Sequence, residues 1–216
     1  EQARRRAEGR YLGIGVCTYV EICGLGPSQV AGAIGFQGGL WESAIVRFHP
    51  SGKVNVFIGA SPHGQGEETT FAQIVADELG VGVDDVKIVH GDTDNTPYGL
   101  GTYASRSTPV SGAATAMVAR RVGEKARKIA AHLLEVSEED VEFHRPNYTV
   151  KGAPDRAVTI QDVAFAAYTN FPDGMEAGLE GNYYYDPPNL TFPFGTYAVA
   201  VEVDPETGEW QVKRMV

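Results

Sequence analysis

Two glycine- and hydroxyl-rich segments carry the residue types best suited to hold a charged ligand. They are residues 59–70 (GASPHGQGEETT), here called the first loop, and residues 99–109 (GLGTYASRSTP), the second loop. Each follows a strand-like or buried run and leads into a predicted helix, whose first N–H groups have no partner within the helix. Glycine permits sharp turns and a close backbone approach to a ligand. Helix beginnings attract anions, so both loops are candidate ligand-binding loops.

The first loop places an amide between two glycines, at Gly64, Gln65 and Gly66. The amide of Gln65 can donate and accept at once, which suits the edge of a heterocycle or a phosphate oxygen. The alternative interpretation is a tight capped turn without a ligand. The loop does not match the nucleotide-binding P-loop, because Gln65 stands where that pattern requires lysine.

The second loop groups three hydroxyls around a cation. Ser105, Ser107 and Thr108 supply the hydroxyls, and Arg106 supplies a planar fork suited to phosphate. Pro109 is compatible with a first helical turn. A Ser or Thr helix cap without a ligand is the alternative. Two such loops in one chain suit a ligand with two phosphates, or with one phosphate and a polar ring, and therefore predict a nucleotide-like cofactor.

The other reactive side chains form no metal site or catalytic set. Cys17 and Cys23 lack a second pair for zinc, and no Ser–His–Asp triad can be argued from spacing. Asp92 and Asp94 fit an Asx-turn better than a calcium loop. His63 can be interpreted either as a pocket residue or as a solvated loop residue.

Composition limits the class of protein. The 216 residues are 43% hydrophobic and 21% charged, enough for one sizeable core, and the formal net charge is −10. An acidic chain of this kind argues against nucleic acid as a partner. Two cysteines argue against a disulfide scaffold and favour a reducing compartment, which predicts a cytoplasmic protein. No run approaches the roughly 18 apolar residues of a membrane-spanning helix, and no signal peptide is visible.

The elements that must position the two loops can be outlined from periodicity and turn residues. Strands and helices alternate without a regular βαβ rhythm, which favours an α+β fold with mixed sheets and hairpins packed on two or three helices. A sub-lobe break is expected near residues 141–158, and residues 172–193 are expected to form a long ordered loop. The tyrosines at 183–185 form either a binding wall or a packing surface. The predicted strands are 13–22, 41–48, 54–58, 86–89, 195–203 and 210–216, with a strand or hairpin at 141–150. The turn residues at 50–53 and 204–208 predict hairpins between 41–48 and 54–58 and between 195–203 and 210–216. The predicted helices are 71–79, 110–134 and 160–168, the last capped by Thr159.

Several segments together resemble one enzyme family. The first loop, around Gly64-Gln65-Gly66, resembles a cofactor loop of molybdenum hydroxylase large subunits, the family of carbon monoxide dehydrogenase, xanthine dehydrogenase and aldehyde oxidase. Residues 90–94 followed by 101–109 resemble the second cofactor loop of the carbon monoxide dehydrogenase branch. Residues 13–21 and 201–209 are similar to family segments as well. The resemblance covers nearly the whole chain in the expected order.

The resemblance implies a molybdopterin cofactor carrying molybdenum, usually as the cytosine dinucleotide in bacteria. The cofactor's own dithiolene holds the metal, so no protein ligand to the metal is implied. The first loop would contact the pterin and pyrophosphate end, and the second loop the nucleotide end. The predicted cofactor-binding residues are Gly64, Gln65, Gly66, Thr69, Thr70, Ser105, Arg106, Ser107 and Thr108.

The resemblance also implies a reaction and partners. The chain would be a segment, itself incomplete, of the second molybdopterin-binding domain of a large subunit. In the family, oxygen from water is inserted at a carbon centre of a small-molecule substrate, and electrons leave through 2Fe-2S clusters to FAD. A small iron–sulfur subunit and an FAD-binding subunit are therefore implied, with a dimer of heterotrimers as the assembly. Carbon monoxide, aldehydes and N-heterocycles all remain open as substrates.

Two family features have no counterpart in these residues. One is the catalytic Glu of a Gly-rich segment near the subunit's C-terminus. The other is the upstream substrate loop with the copper-binding cysteine, whose context neither Cys17 nor Cys23 shares. The chain begins without Met and ends in a strand-like run, which predicts a piece of a longer polypeptide, inactive alone. The alternatives are a non-catalytic module that stores or presents a nucleotide-like cofactor, and a structural subunit whose loops are simple caps.

Overall fold

The computed structural model describes residues 1–216, which divide into two compact units. The terminal unit combines Glu1–Cys23 with Thr191–Val216, and the central unit is Gly24–Leu190. The sub-lobe break predicted near residues 141–158 lies inside the central unit. None of the helices is both long enough and apolar enough to cross a membrane.

Ten strands and five α-helices make up the two units, in the α+β class that the sequence predicts. The helices are α1 (Gln2–Ala7), α2 (Ser28–Ala33), α3 (Glu67–Leu79), α4 (Ala113–Leu134) and α5 (Ile160–Thr169). The strands are β1 (Tyr11–Val20), β2 (Glu42–Phe48), β3 (Val54–Ile58), β4 (Val86–Val89), β5 (Val141–His144), β6 (Asn147–Val150), β7 (Ala153–Thr159), β8 (Glu180–Tyr185), β9 (Phe194–Val203) and β10 (Trp210–Met215).

The terminal unit contains a three-stranded antiparallel sheet in the order β1-β9-β10. The predicted hairpin between β9 and β10 is confirmed. Its turn is held by the carboxylate of Asp204, which accepts from the backbone N–H of Glu206 at 2.9 Å. An Asp at the start of a turn commonly satisfies the backbone in this way.

The central unit is built on a four-stranded mixed sheet in the order β4-β3-β2-β8. The predicted β2–β3 hairpin is confirmed, with Phe48 opposite Val54. Val54, Val56 and Ile58 point to the core, since every second residue of β3 is buried. β4 pairs with β3 in parallel, and α3 supplies the crossover connection that parallel pairing requires.

Helix α3 begins and ends at glycines in the left-handed conformation. Gly66 precedes it with φ of 83°, and Gly80 follows it with φ of 68°. The backbone can reverse direction at both positions because glycine has no Cβ. The predicted end of this helix at Gly80 is confirmed, and its beginning is fixed directly after the Gly64-Gln65-Gly66 turn.

Helix α4 is preceded by a π-helical segment, Ser107–Gly112, that periodicity alone does not predict. The helix was expected from about residue 110, whereas helical backbone begins at Ser107 in this wider form. π-Helical turns occur frequently at functional sites. The segment joins the second loop directly to the helix that packs against α3 and the central sheet.

The remaining elements confirm one prediction and correct another. Thr159 caps α5, and its hydroxyl accepts from the Asp162 N–H at 3.1 Å. The expectation of a loop throughout residues 172–193 is wrong, because β8 lies within it and pairs with β2. Gly181 and the tyrosines at 183–185 obscure the alternating pattern from which a strand would be predicted. Tyr183 packs against the core, whereas Tyr184 is exposed and meets the Trp41 ring edge-on.

Candidate functional site

The two loops meet where β3 ends. A Cβ placed on Gly59 would lie 2.5 Å from the Gly99 Cα and 2.7 Å from Oε2 of Glu42. No side chain fits at such distances, so the backbones of the two loops can approach here only as glycines. The convergence of the first and second loops, on which a shared ligand depends, is present in the fold.

One hydroxyl, that of Thr102, bridges the loops. It accepts from the backbone N–H of Ser61 at 3.2 Å and from the Ser107 hydroxyl at 2.9 Å. It donates to the carboxylate of Glu67 at 3.2 Å. A threonine hydroxyl has one hydrogen to donate and two lone pairs, so all of its capacity is used, and the second loop is fastened to the start of α3.

Glu67 is a buried carboxylate at the first position of α3. It is 3% exposed and also accepts from Nε2 of Gln65 at 2.6 Å. Oε1 of Gln65 accepts from the backbone N–H of His63. The Gln65 amide therefore already contacts its own loop at both ends, which sequence reasoning did not anticipate. A negative charge at this position also complements the helix dipole.

A pocket of about 220 Å³ lies between the two loops. Five of the predicted cofactor-binding residues line it, together with Glu67 and Thr102. Gly64 and Gly66 flank Gln65, and the Cβ side of each faces open space. Thr69 is exposed on α3 and does not line the pocket. The five lining residues are Gln65, Thr70, Ser105, Ser107 and Thr108.

The side chain of Arg106 turns inward from the second loop and does not line the pocket. Its side chain is 0% exposed and forms an ion pair with Glu42, whose side chain is also 0% exposed. Nε donates to the Leu25 carbonyl at 2.7 Å, and one terminal nitrogen donates to Glu42 and, at 3.0 Å, to the Gly101 carbonyl. The other terminal nitrogen donates to the Leu40 carbonyl. This arrangement differs from the predicted phosphate contact, because each guanidinium nitrogen is already bonded to a protein oxygen.

Glu42 was not singled out by any sequence pattern, since a lone Glu at the start of a strand is typical of a surface. Its Oε1 accepts from the backbone N–H groups of Leu100 at 2.8 Å and Gly101 at 3.2 Å. Its Oε2 is buried without a partner. Burial raises the pKa of Glu42, and the Arg106 guanidinium opposes that shift. The pair ties β2 to the second loop inside the protein.

The other candidate residues are accounted for by local contacts. Asp92 forms the predicted Asx-turn, accepting from the Asp94 N–H at 3.0 Å. The Asn95 amide, which donates to Asp92 at 2.7 Å, and the Asp94 N–H lower the pKa of Asp92. Cys17 is exposed and Cys23 is buried, both as free thiols. His63 is exposed. No group of three or more potential protein ligands is close enough together to hold a metal ion.

Fold and site together define an α+β domain with a two-loop pocket rich in hydroxyl and amide groups at helix beginnings. The profile of the molybdopterin cofactor-binding domain matches residues 1–216. The chain belongs to this molybdopterin cofactor-binding domain family.

Relatives extend the match over the whole chain. The carbon monoxide dehydrogenase large chain of Hydrogenophaga pseudoflava is 47% identical over 99% of this chain and 27% of its own length. The solved CO dehydrogenase from Oligotropha carboxidovorans has a TM-score of 0.87 at 46% identity, covering 99% of this chain and 26% of that one. Quinoline 2-oxidoreductase from Pseudomonas putida 86 has a TM-score of 0.83 at 39% identity, covering 99% and 27%. The chain thus spans about a quarter of the length of these relatives.

Proposed function

We propose that this chain is the part of a molybdenum-dependent oxidoreductase that holds the molybdopterin cofactor, in its cytosine dinucleotide form. The observation that carries the proposal is the convergence of the two loops on one pocket, fastened by Thr102 to Glu67 and Ser107. Two helix beginnings at one pocket supply N–H and hydroxyl donors for an anionic ligand. Simple helix caps would not require two loops to share a bridging hydroxyl.

The charges in the pocket favour one orientation of the cofactor. The Glu67 carboxylate would repel a phosphate and accept from the N–H groups of a pterin ring, so the ring faces the first loop. The open Cβ sides of Gly64 and Gly66 leave room for this ring. The hydroxyls of Ser107 and Thr108 would receive the phosphates of the nucleotide end. This assignment leaves Arg106 as an indirect contributor.

The bound cofactor would supply the redox chemistry that inserts water-derived oxygen at a carbon centre. The residues of this chain bind and orient it. Relatives named after carbon monoxide and after quinoline both match 99% of this chain, at 47% and 39% identity. These residues are therefore suited to binding a cofactor used with several substrates. We infer that the whole protein works in the cytoplasm with an iron–sulfur subunit carrying 2Fe-2S clusters and an FAD-binding subunit, as a dimer of heterotrimers.

The cofactor assignment is tested on the protein purified from its own host. Molybdenum is measured by mass spectrometry, pterin by fluorescence after oxidation, and the released nucleotide by chromatography. We expect molybdenum, pterin and CMP in equal amounts. Absence of both molybdenum and pterin contradicts the proposal, and a nucleotide other than CMP contradicts the cytosine form alone.

The enzymatic assignment is tested by turnover. We expect the complete subunit with its redox partners to oxidise its substrate, and residues 1–216 alone to show no turnover, because the resemblance implies a catalytic Glu in a Gly-rich segment that has no counterpart in these residues. Turnover by residues 1–216 alone contradicts the second expectation. Bound cofactor without turnover in the complete assembly favours the storage module.

A further inference from the structure

The buried pair of Glu42 and Arg106 is the least expected feature near the pocket. Both side chains are 0% exposed, and Arg106 belongs to the second loop whereas Glu42 belongs to β2. A buried ion pair is weak evidence for a contribution to stability, because desolvation of both charges offsets their attraction. Oε2 of Glu42 has no hydrogen-bond partner, which adds a further cost. The pair therefore needs an explanation other than stability.

The contacts of the pair converge on the backbone of the second loop. Glu42 accepts from two consecutive N–H groups, those of Leu100 and Gly101. Arg106 donates to the Gly101 carbonyl at 3.0 Å, and its guanidinium lies 5.2 Å from the centre of the Tyr103 ring. The peptide groups on both sides of Gly101 are thus held by one ion pair. Part of this loop has no regular secondary structure that could fix it otherwise.

The same contacts join the loop to three other positions in the central unit. Arg106 donates to the carbonyls of Leu25 and Leu40, and Glu42 is the first residue of β2. With Arg106 turned inward, its neighbours Ser105 and Ser107 line the pocket. Ala104 and Ser105 both have positive φ, 48° and 50°, which non-glycine residues adopt only where surrounding contacts enforce it.

We propose that the Glu42–Arg106 pair positions the second loop for cofactor binding, with both residues acting through the backbone and neither touching the cofactor. This inference rests on the proposed function, because it assigns a role relative to that ligand. Groups that orient metal-ligating residues commonly change affinity or activity by about 10–100-fold when they are altered, and we expect an effect of this order here. Loss of either partner should therefore accelerate cofactor release by more than its loss of stability accounts for, which the comparison with a core variant tests.

The test uses the complete holoenzyme with three substitutions. Glu42→Gln keeps the size of the side chain and removes its charge. Arg106→Lys keeps the charge and removes the planar fork that reaches several carbonyls. Ile129→Ala is the control. Ile129 is fully buried in α4, and its truncation leaves a cavity in the core away from the loops.

Three quantities are measured: the midpoint of thermal unfolding, the rate of pterin release, and hydrogen–deuterium exchange in residues 99–109 of the cofactor-free protein. We expect Glu42→Gln and Arg106→Lys to release pterin about tenfold faster or more and to exchange faster in the second loop. Ile129→Ala should lower the unfolding midpoint at least as much, with release and loop exchange within about twofold of the wild type, because its cavity does not contact the loop.

Two results obtained with folded proteins would overturn the inference. One is release of pterin at the wild-type rate from folded Glu42→Gln and Arg106→Lys proteins. The other is equally fast release from Ile129→Ala, which would make the effect one of stability only. If Glu42→Gln does not fold, Arg106→Lys decides by the same criteria, and failure of both to fold also overturns it. A wild-type protein without molybdenum or pterin would instead contradict the proposed function itself.

Discussion

At the scale of single residues, Thr102 shows how one side chain can join the two candidate ligand-binding loops. Substitution by Val keeps its shape and removes the hydroxyl, so the Ser61 N–H and the Ser107 hydroxyl each lose an acceptor. We expect Thr102→Val to lower the free energy of unfolding by about 1–3 kcal/mol and to reduce the molybdenum content of the purified protein. Urea denaturation and metal analysis measure the two effects.

Thr169→Val is the matched control for this change. Its hydroxyl makes one contact within α5, to the Phe165 carbonyl at 3.1 Å, away from both loops. Its molybdenum content should equal that of the wild type. Equal molybdenum content in Thr102→Val and Thr169→Val would contradict a ligand-binding role for the bridge.

A second residue-scale prediction concerns pH. Burial raises the pKa of Tyr148 to about 12, above the value near 10 expected in the unfolded chain. The native state therefore keeps the Tyr148 proton to a higher pH than the unfolded chain does. The stabilising contribution of Tyr148 is thus complete below about pH 10 and is lost as pH rises towards 12. The loss is worth about 1.4 kcal/mol for each pH unit of difference.

Tyr148→Phe should remove this part of the alkaline destabilisation, because no phenol remains to ionise. Urea denaturation between pH 9 and pH 12 (roughly the interval bracketed by these pKa values) measures it. Tyr184→Phe, at a side chain that is 57% exposed, should keep the wild-type pH profile. Identical profiles for Tyr148→Phe and the wild type would be inconsistent with this assignment.

At the scale of secondary-structure elements, the end of α4 carries a removable strain. Glu135 terminates the helix with φ of 53°, in the left-handed region where side chains are disfavoured. Glu135→Gly should raise the free energy of unfolding by up to about 1 kcal/mol. The thermal midpoint should then rise by about 2–4 °C.

The control substitution should change the stability in the opposite direction. Glu124 lies exposed in the interior of the same helix, where glycine costs about 1 kcal/mol in helix propensity. Glu124→Gly should therefore lower the thermal midpoint. Destabilisation by both substitutions would show that the left-handed conformation at Glu135 is not a source of strain.

Elements with a clear period or turn were predictable, and those set by tertiary contacts were not. The β2–β3 hairpin and the Thr159 cap follow from local residue types. β8 was missed because its pairing with β2 is what makes it a strand, and glycine and tyrosine hide its alternation. The first loop and the hydroxyls of the second were recognisable as candidate ligand residues. The inward orientation of Arg106 was not, because its partner Glu42 is distant in the sequence.

At the scale of the whole molecule, the division into terminal and central units predicts a pattern of proteolysis. The units are joined at Cys23–Gly24 and Leu190–Thr191, and cleavage is expected first at exposed residues nearby, such as Ile22 and Asn189. Brief digestion should yield a stable product close to residues 24–190, identified by intact mass and terminal sequencing. First cleavage within residues 141–158 would instead favour the sub-lobe boundary expected from the sequence.

The meeting of Gly59 and Gly99 also dictates an order of assembly. Ser61 and Thr102, which join the loops nearby, are 41 positions apart in the chain, and closing such a long segment costs more entropy than closing the tight β2–β3 turn. Local hairpins form within microseconds, before distant segments meet. The pocket between the two loops thus forms after the β2–β3 hairpin, and a nascent chain cannot complete it until the polypeptide has emerged well beyond α3.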